Sequence, residues 1–332
     1  MRVKALIHSI AIFLVISLSQ VPFASPFELR ISHQLPETHI IAKNFQEFKR
    51  LVEQRTNGKI KVTIFPAAQA LSPAESIRAV STGVIEAAAV PNMEWARLVQ
   101  TMEVFLVPYV ATELSTIEKI FSGEVGVKLF KKMEEKGVIP VMWLLQTRRT
   151  IYTSKDKFLL SPSDFKGKKA RGTSKIMNLS LEAMGAQCVP IAGPEAMTAL
   201  QTGVVDIGLT GPDAALVRHY YDIHKYGVIA HNMSVVWPFF LNPKFWRSLP
   251  QEIQVGVKEV CETIQKKSIR DSEEFALWAI GELKKKMNIH ILSPEEEKQW
   301  KNVMQPPVRE YFIKTTGAEG AEILNQIERI SR

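Results

Sequence analysis

The chain has 332 residues, 46% of them hydrophobic and 23% charged, with a formal net charge of +8. That length and apolar content suit one large domain or two lobes, and exclude a chain too polar to bury a core. The positive charges are scattered among acids instead of forming an aromatic-interleaved basic stripe, so no nucleic-acid partner is expected.

The first residues set the compartment. Arg2 and Lys4 precede a nearly unbroken apolar run from Ala5 to Leu18, and the small-residue stretch Val21-Pro-Phe-Ala-Ser25 follows. This is the layout of a secretory signal peptide over residues 1–25, cleaved near Ala24 or Ser25, which predicts export to the periplasm. A membrane anchor wants about 20 apolar residues, more than this run has.

From Phe27 the pattern reads strand, then helix. Leu29 to Ser32 is short and extended, and Pro36 to Thr38 opens a helix with Ile40, Ile41, Phe45, Phe48, Leu51 and Val52 on one stripe. Asn57-Gly58 stops it, and Lys59 to Phe65 alternates polar and apolar as a half-buried strand does. A helix from Pro73, stopped at Gly83, leads into a strand over Val84 to Val90. The order βαβαβ implies a mostly parallel sheet.

Ala79-Val-Ser-Thr-Gly-Val-Ile-Glu86 returns as Ala199-Leu-Gln-Thr-Gly-Val-Val-Asp206. Around the second copy the same scheme recurs: a strand over Lys168 to Arg171, a helix from Lys175 stopped at Gly185, a strand over Gln187 to Ile191, a helix over Pro194 to Thr202, and a strand over Val204 to Leu209. Two similarly built α/β lobes follow, with a crevice between them. Between the copies, Glu113 to Lys136 reads as helical and Val138 to Leu145 as an apolar strand. After them, the apolar run Val235 to Leu241 is suited to return to the first sheet, and Pro250 to about Met287 predicts one long helix bracing both lobes. This assigns 26–145 plus about 236–275 to the first lobe, and 146–235 plus about 276–332 to the second.

No phosphate loop, no His-Glu-x-x-His and no Gly-x-Ser-x-Gly occurs in the chain, so nothing calls for a nucleotide, a metal, another cofactor or a covalent nucleophile. Cys188 and Cys261 sit in apolar settings as free thiols. His33 falls where a strand ends and is a candidate to face the crevice. Arg171 closes a strand directly before Gly172-Thr173-Ser174, where a helix begins. Strand carboxyl ends and helix N-termini are where anions bind in open α/β sheets, and a guanidinium matches a carboxylate with two parallel hydrogen bonds. From position alone, Arg171 reads equally as a surface residue of the Lys-rich stretch from Lys166.

Ser161-Pro-Ser-Asp-Phe-Lys-Gly-Lys-Lys-Ala-Arg171 and Pro194 to Asp206, with His33-Gln-Leu-Pro36, Thr56-Asn-Gly-Lys-Ile60, Phe105-Leu-Val-Pro-Tyr109 and Lys244 to Pro250, carry a resemblance. The chain resembles the solute-binding proteins of TRAP transporters, the tripartite ATP-independent periplasmic carriers, over nearly its whole length after residue 25. The resemblance implies a two-lobed receptor that closes on a small carboxylate and delivers it to membrane-embedded permease subunits; it sets no oligomeric state. It implies Arg171 as carboxylate clamp and a second clamp at Arg148 or Arg149, between which the alignment is ambiguous. Thr210 stands in for a family asparagine, and Gly193 replaces an aromatic of the sugar-acid binders. Asn92, Trp95 and Trp237 are candidate walls, with His33, Gln34 and Ser174 at the crevice edge. A binding protein of another importer, a sensor subunit and an exported enzyme are the alternatives.

Overall fold

The computed structural model describes residues 26–331, so the signal peptide expected over 1–25 lies outside the described residues. The chain begins β1 (Phe27–Ser32), α1 (Ile40–Arg55), β2 (Ile60–Phe65), α2 (Pro73–Thr82), β3 (Ala87–Ala89) and the one-turn α3 (Asn92–Trp95). A 3-10 segment, Gln100–Leu106, leads to α4 (Leu114–Ser122), α5 (Glu124–Glu134) and β4 (Ile139–Thr147). The second lobe is built from β5 (Thr150–Ser154), β6 (Lys169–Gly172), α6 (Lys175–Ala183), β7 (Gln187–Pro190), α7 (Ala196–Gln201), β8 (Gly208–Thr210), α8 (Pro212–Val217) and β9 (Tyr226–Ala230). The chain ends with β10 (Val235–Leu241), α9 (Pro243–Ser248), α10 (Gln251–Lys284), β11 (Asn288–Ile291) and α11 (Pro294–Ile330).

Local chemistry sets the boundaries. His39 caps α1 by accepting the Ile41 N–H on Nδ1 at 3.1 Å, and the stripe Ile40, Ile41, Phe45, Phe48 and Val52 is buried against the first sheet. Ser72 and Glu75 form a capping box at the start of α2. The repeated phrase does the same task in each lobe. Gly83 (φ 83) and Gly203 (φ 71) turn the chain out of a helix in the left-handed region, where a side chain is strained. The closing acid then accepts a backbone N–H from the neighbouring strand: Glu86 from Arg30 at 3.1 Å, Asp206 from Lys169 at 2.9 Å. Val84 to Glu86 and Val204 to Asp206 are therefore outside the strands, and β3 and β8 are shorter than the apolar runs predict.

The first sheet has the order β2-β1-β3-β10-β4, and the second β11-β9-β5-β8, with the β6-β7 pair joined to it through a parallel Ala170–Ile207 bridge. The parallel units are those the sequence predicts. Each sheet also takes an antiparallel strand: β10 between β3 and β4, and β5 between β8 and β9. The reason is that β4 runs on into β5 and β9 into β10, so each lobe receives a strand from a chain crossing out of the other. The crossings are Arg148-Arg149 and His231–Ser234.

The long helix α10 packs on α1 and β4 in the first lobe and on α8 and β11 in the second, as a brace does. The final helix departs from the expected assignment of 276–332 to the second lobe. Trp300 packs on Tyr152 and Phe165, but Gly317 (φ 66) breaks the helix. The turns after it return to the first lobe, where Lys128 pairs with Glu322 at 2.6 Å and Lys119 donates to the Ile330 carbonyl at 2.8 Å. Buried Ile323, Leu324 and Ile327 supply the apolar face that makes this docking favourable.

Candidate functional site

A cleft of about 290 Å³ opens between the lobes. Its second-lobe wall is made by the carboxyl ends of β6 and β8, and its first-lobe wall by α3 and the turn after β1. Arg171 sits at the end of β6 and is 6% exposed. Its Nε donates to the Ile191 carbonyl at 3.1 Å and its Nη1 to the Leu209 carbonyl. Two of five donors are thereby spent on backbone, which orients the fork and leaves three N–H groups. Among the described residues, no carboxylate lies within 4.0 Å of it.

Trp237 forms part of the cleft floor. Its Nε1 donates to Gln146 Oε1 at 2.7 Å, and Gln146 Nε2 donates to Asp213 at 3.1 Å. His39 Nε2 lies 2.6 Å from the same Asp213 oxygen. Since Nδ1 of His39 accepts the Ile41 N–H, the ring proton is on Nε2 and is donated to Asp213. This buried chain ties α1 of the first lobe to α8 of the second directly beneath the cleft.

The sequence-derived residues divide. Arg171, Gln34, Thr210, Trp237 and Gly193 line the cleft. Arg148 and Arg149 do not: both guanidiniums fork onto Glu273 of α10, Arg148 through Nε at 3.0 Å and Arg149 through Nη1 at 2.6 Å. Arg149 Nε also reaches His231 at 3.1 Å. Burial opposes ionisation of Glu273, but the hydrogen bonds from Arg149 and Arg148 outweigh it and hold the carboxyl down at about 2. The pair therefore ties a lobe crossing to the brace helix. His33 is buried, stacks on Phe45 with centroids 5.5 Å apart, and accepts the Leu35 N–H. Burial pushes its pKa down to about 4, aided by His39, and it is not among the residues that line the cleft. Ser174 caps α6 by accepting the Met177 N–H at 3.3 Å.

Asn92 and Trp95 lie on the wrong face of α3. Asn92 is buried and accepts the Val236 N–H at 3.2 Å, while Trp95 packs edge-on against Phe240 in the core. Met93, Glu94 and Arg97 line the cleft in their place. At about 100° per residue, positions 93, 94 and 97 share one side and 92 and 95 the other, so the helical phase could have found them. Burial raises the Glu94 pKa, with Arg97 and Arg171 opposing. Arg218, at the end of α8, also lines the cleft. Burial lowers its pKa and the charge of Arg171 adds to that, while Tyr220 and Asp213 oppose. No local sequence signal marks Arg218, because only the tertiary placement of α8 brings it there.

The cleft is thus a basic, partly desolvated slot with one guanidinium pre-oriented by backbone. The chain is similar to known proteins over nearly all of its length. The C4-dicarboxylate-binding periplasmic protein DctP of Rhodobacter capsulatus is 28% identical over 309 residues, covering 92% of each chain. A TRAP periplasmic solute-binding protein from Desulfovibrio salexigens, solved with bound orotic acid, superposes with a TM-score of 0.86 at 22% identity, covering 92% of this chain and 98% of that one. One from Shewanella oneidensis, solved with bound succinate, gives 0.85 at 24% identity, covering 91% and 99%. A sequence profile for bacterial extracellular solute-binding proteins of family 7 matches residues 31–315. With that match spanning both lobes and the cleft between them, the chain belongs to family 7 of the bacterial extracellular solute-binding proteins, the DctP family.

Proposed function

We propose that this protein captures a small organic acid on Arg171, closes its lobes over it, and presents it to the membrane-embedded subunits of a TRAP-type carrier in the periplasm. The observation that carries the ligand class is Arg171: a buried guanidinium, aimed by two backbone carbonyls, with three donors left and, among the described residues, no carboxylate within 4.0 Å to take them. A carboxylate accepting two of those donors forms the charge-assisted fork that Arg favours. The relatives support the class, since one is named for C4-dicarboxylates and two structural neighbours hold orotic acid and succinate.

Closure would bend the two crossings, Arg148-Arg149 and His231–Ser234, against the elastic resistance of α10, which touches both lobes. Export would follow from residues 1–25 acting as a signal peptide. The test of the ligand class is a thermal-shift screen of small organic acids, each beside its amide, followed by calorimetry. Acids should raise the unfolding midpoint and bind, and their amides should not. An amide binding as tightly as its acid would refute the carboxylate assignment.

A further inference from the structure

The two walls of the cleft offer opposite hydrogen-bonding chemistry. On the second-lobe wall, Arg171 keeps three N–H donors after its two bonds to backbone. On the first-lobe wall stand Glu94, in α3, and Gln34, in the turn after β1. Glu94 Oε2 and Gln34 Oε1 are both buried without a hydrogen-bond partner among the described residues. Buried acceptors in folded proteins are nearly always satisfied, so each marks a place for a donor that the protein does not itself supply. Glu94 is the stronger of the two because it is a carboxyl. Its side chain is 13% exposed, and its one ion-pair partner among the described residues, Arg97, stands 3.9 Å away and is 67% exposed. That distance is past hydrogen-bond reach. Arg171 acts on the Glu94 charge from the opposite wall with no ion pair formed between them. Arg218, the other guanidinium of the second-lobe wall, already has Tyr220 and Asp213 acting on it, and Glu195 is exposed at the rim.

We infer that Glu94 is a specificity residue of the cleft: with the solute's carboxylate on Arg171, Glu94 accepts a hydrogen bond from an O–H or N–H that the same solute carries. This rests on the carboxylate reading above and narrows it to hydroxy and amino acids, away from plain diacids. An ionised carboxylate can only accept, and its bond to a hydroxyl or an ammonium is charge-assisted. A second carboxylate placed against Glu94 meets a like charge and brings no donor. An unsubstituted acid leaves the Glu94 acceptor unmet once closure has removed water from it.

The test uses the whole chain without residues 1–25 and straight-chain acids of three to six carbons. Each length is offered as the unsubstituted acid, the diacid, and the hydroxy and amino acids substituted on carbon 2 or on the last carbon. Affinities come from calorimetry, and thermal unfolding checks that each variant folds. The wild type should bind its best hydroxy or amino acid at least tenfold more tightly than the unsubstituted acid and the diacid of equal length. In Glu94→Leu the preference over the unsubstituted acid should fall to within about threefold; Glu94→Ala takes its place if that variant does not fold. Glu94→Gln keeps an acceptor oxygen without the charge, so a preference for a hydroxyl should survive in it and a preference for an ammonium should drop by tenfold or more. A diacid or an unsubstituted acid ranking first in the wild type, an unchanged preference in Glu94→Leu, or an equal loss on all acids would overturn the assignment. If acids bind in an Arg171-dependent way whatever else they carry, this inference fails and the carboxylate reading stands. If no acid of any kind binds the wild type, both fail.

Discussion

Replacing Arg171 by lysine keeps the charge and removes the fork. In the structure, Arg171 spends Nε on Ile191 O and one Nη1 hydrogen on Leu209 O, which leaves three donors for a ligand. A carboxylate taking two of them gains about 1.5–3 kcal/mol per charge-assisted bond. Lysine can reach the carboxylate with a point charge but cannot supply the second parallel bond. The loss is then one bond, a weakening on the order of 10- to 100-fold in Kd. Arg171→Gln removes the charge too and should weaken binding by about 100-fold or more. Both changes also disturb the two backbone carbonyls, each worth about 1–3 kcal/mol if left without a partner. Urea unfolding of the unliganded variants separates that effect from binding. The assay is calorimetry with the acid that ranks first in the thermal-shift screen. A Kd within twofold of wild type in both variants, with the fold intact, would refute the clamp.

Two further predictions concern charge and pH. Glu273 is the common partner of Arg148 and Arg149, and its folded pKa, about 2, lies below the ordinary 4.5. Its contribution is present above pH 4.5 and is lost as pH falls toward 2. Glu273→Gln should cost about 2 kcal/mol of stability at pH 7, below the range for fully buried pairs because the site is part-exposed; equal urea midpoints at pH 7 would contradict this. Glu103 runs the opposite way. Burial raises its pKa from 4.5 to about 7, with the Ile176 N–H and the Ser174 hydroxyl opposing. The folded state then holds the proton more tightly than the unfolded chain, so stability falls as pH rises from 4.5 through 7. Relative to Glu103→Gln, the wild type should lose about 3 kcal/mol over that window. Parallel stability–pH curves for the two proteins would exclude it.

Much of the fold was legible because periodicity and punctuation are local. The α1 stripe, the left-handed stops at Gly83 and Gly203, and the brace helix all follow from short-range pattern. The antiparallel strands were less so, because a crossing strand is buried on both faces and its direction depends on which lobe it leaves. The C-terminal return after Gly317 was hidden for a similar reason: a helix break says nothing about which surface the next turns will cover.

The site divides along the same line. From position alone Arg171 reads equally as a surface residue; its burial at the cleft is what distinguishes it from exposed Lys166 and Lys169 just before it. Arg148 and Arg149 were misplaced because their partner, Glu273, lies on a helix more than a hundred residues later. Asn92 and Trp95 failed on helical phase alone. The acids that close the repeated phrase, Glu86 and Asp206, hold strand N–H groups, so the repeat delivers the walls of the cleft without its chemistry.

The central claim is that the cleft holds an acid on Arg171, and a ligand-bound crystal structure tests it most directly. The protein is purified without refolding, any co-purifying small molecule is identified by mass spectrometry, and the complex is crystallised. The account predicts an organic acid with a carboxylate forked on Arg171 between the closed lobes. A neutral solute in the cleft, or an acid bound with its carboxylate away from Arg171, would contradict it.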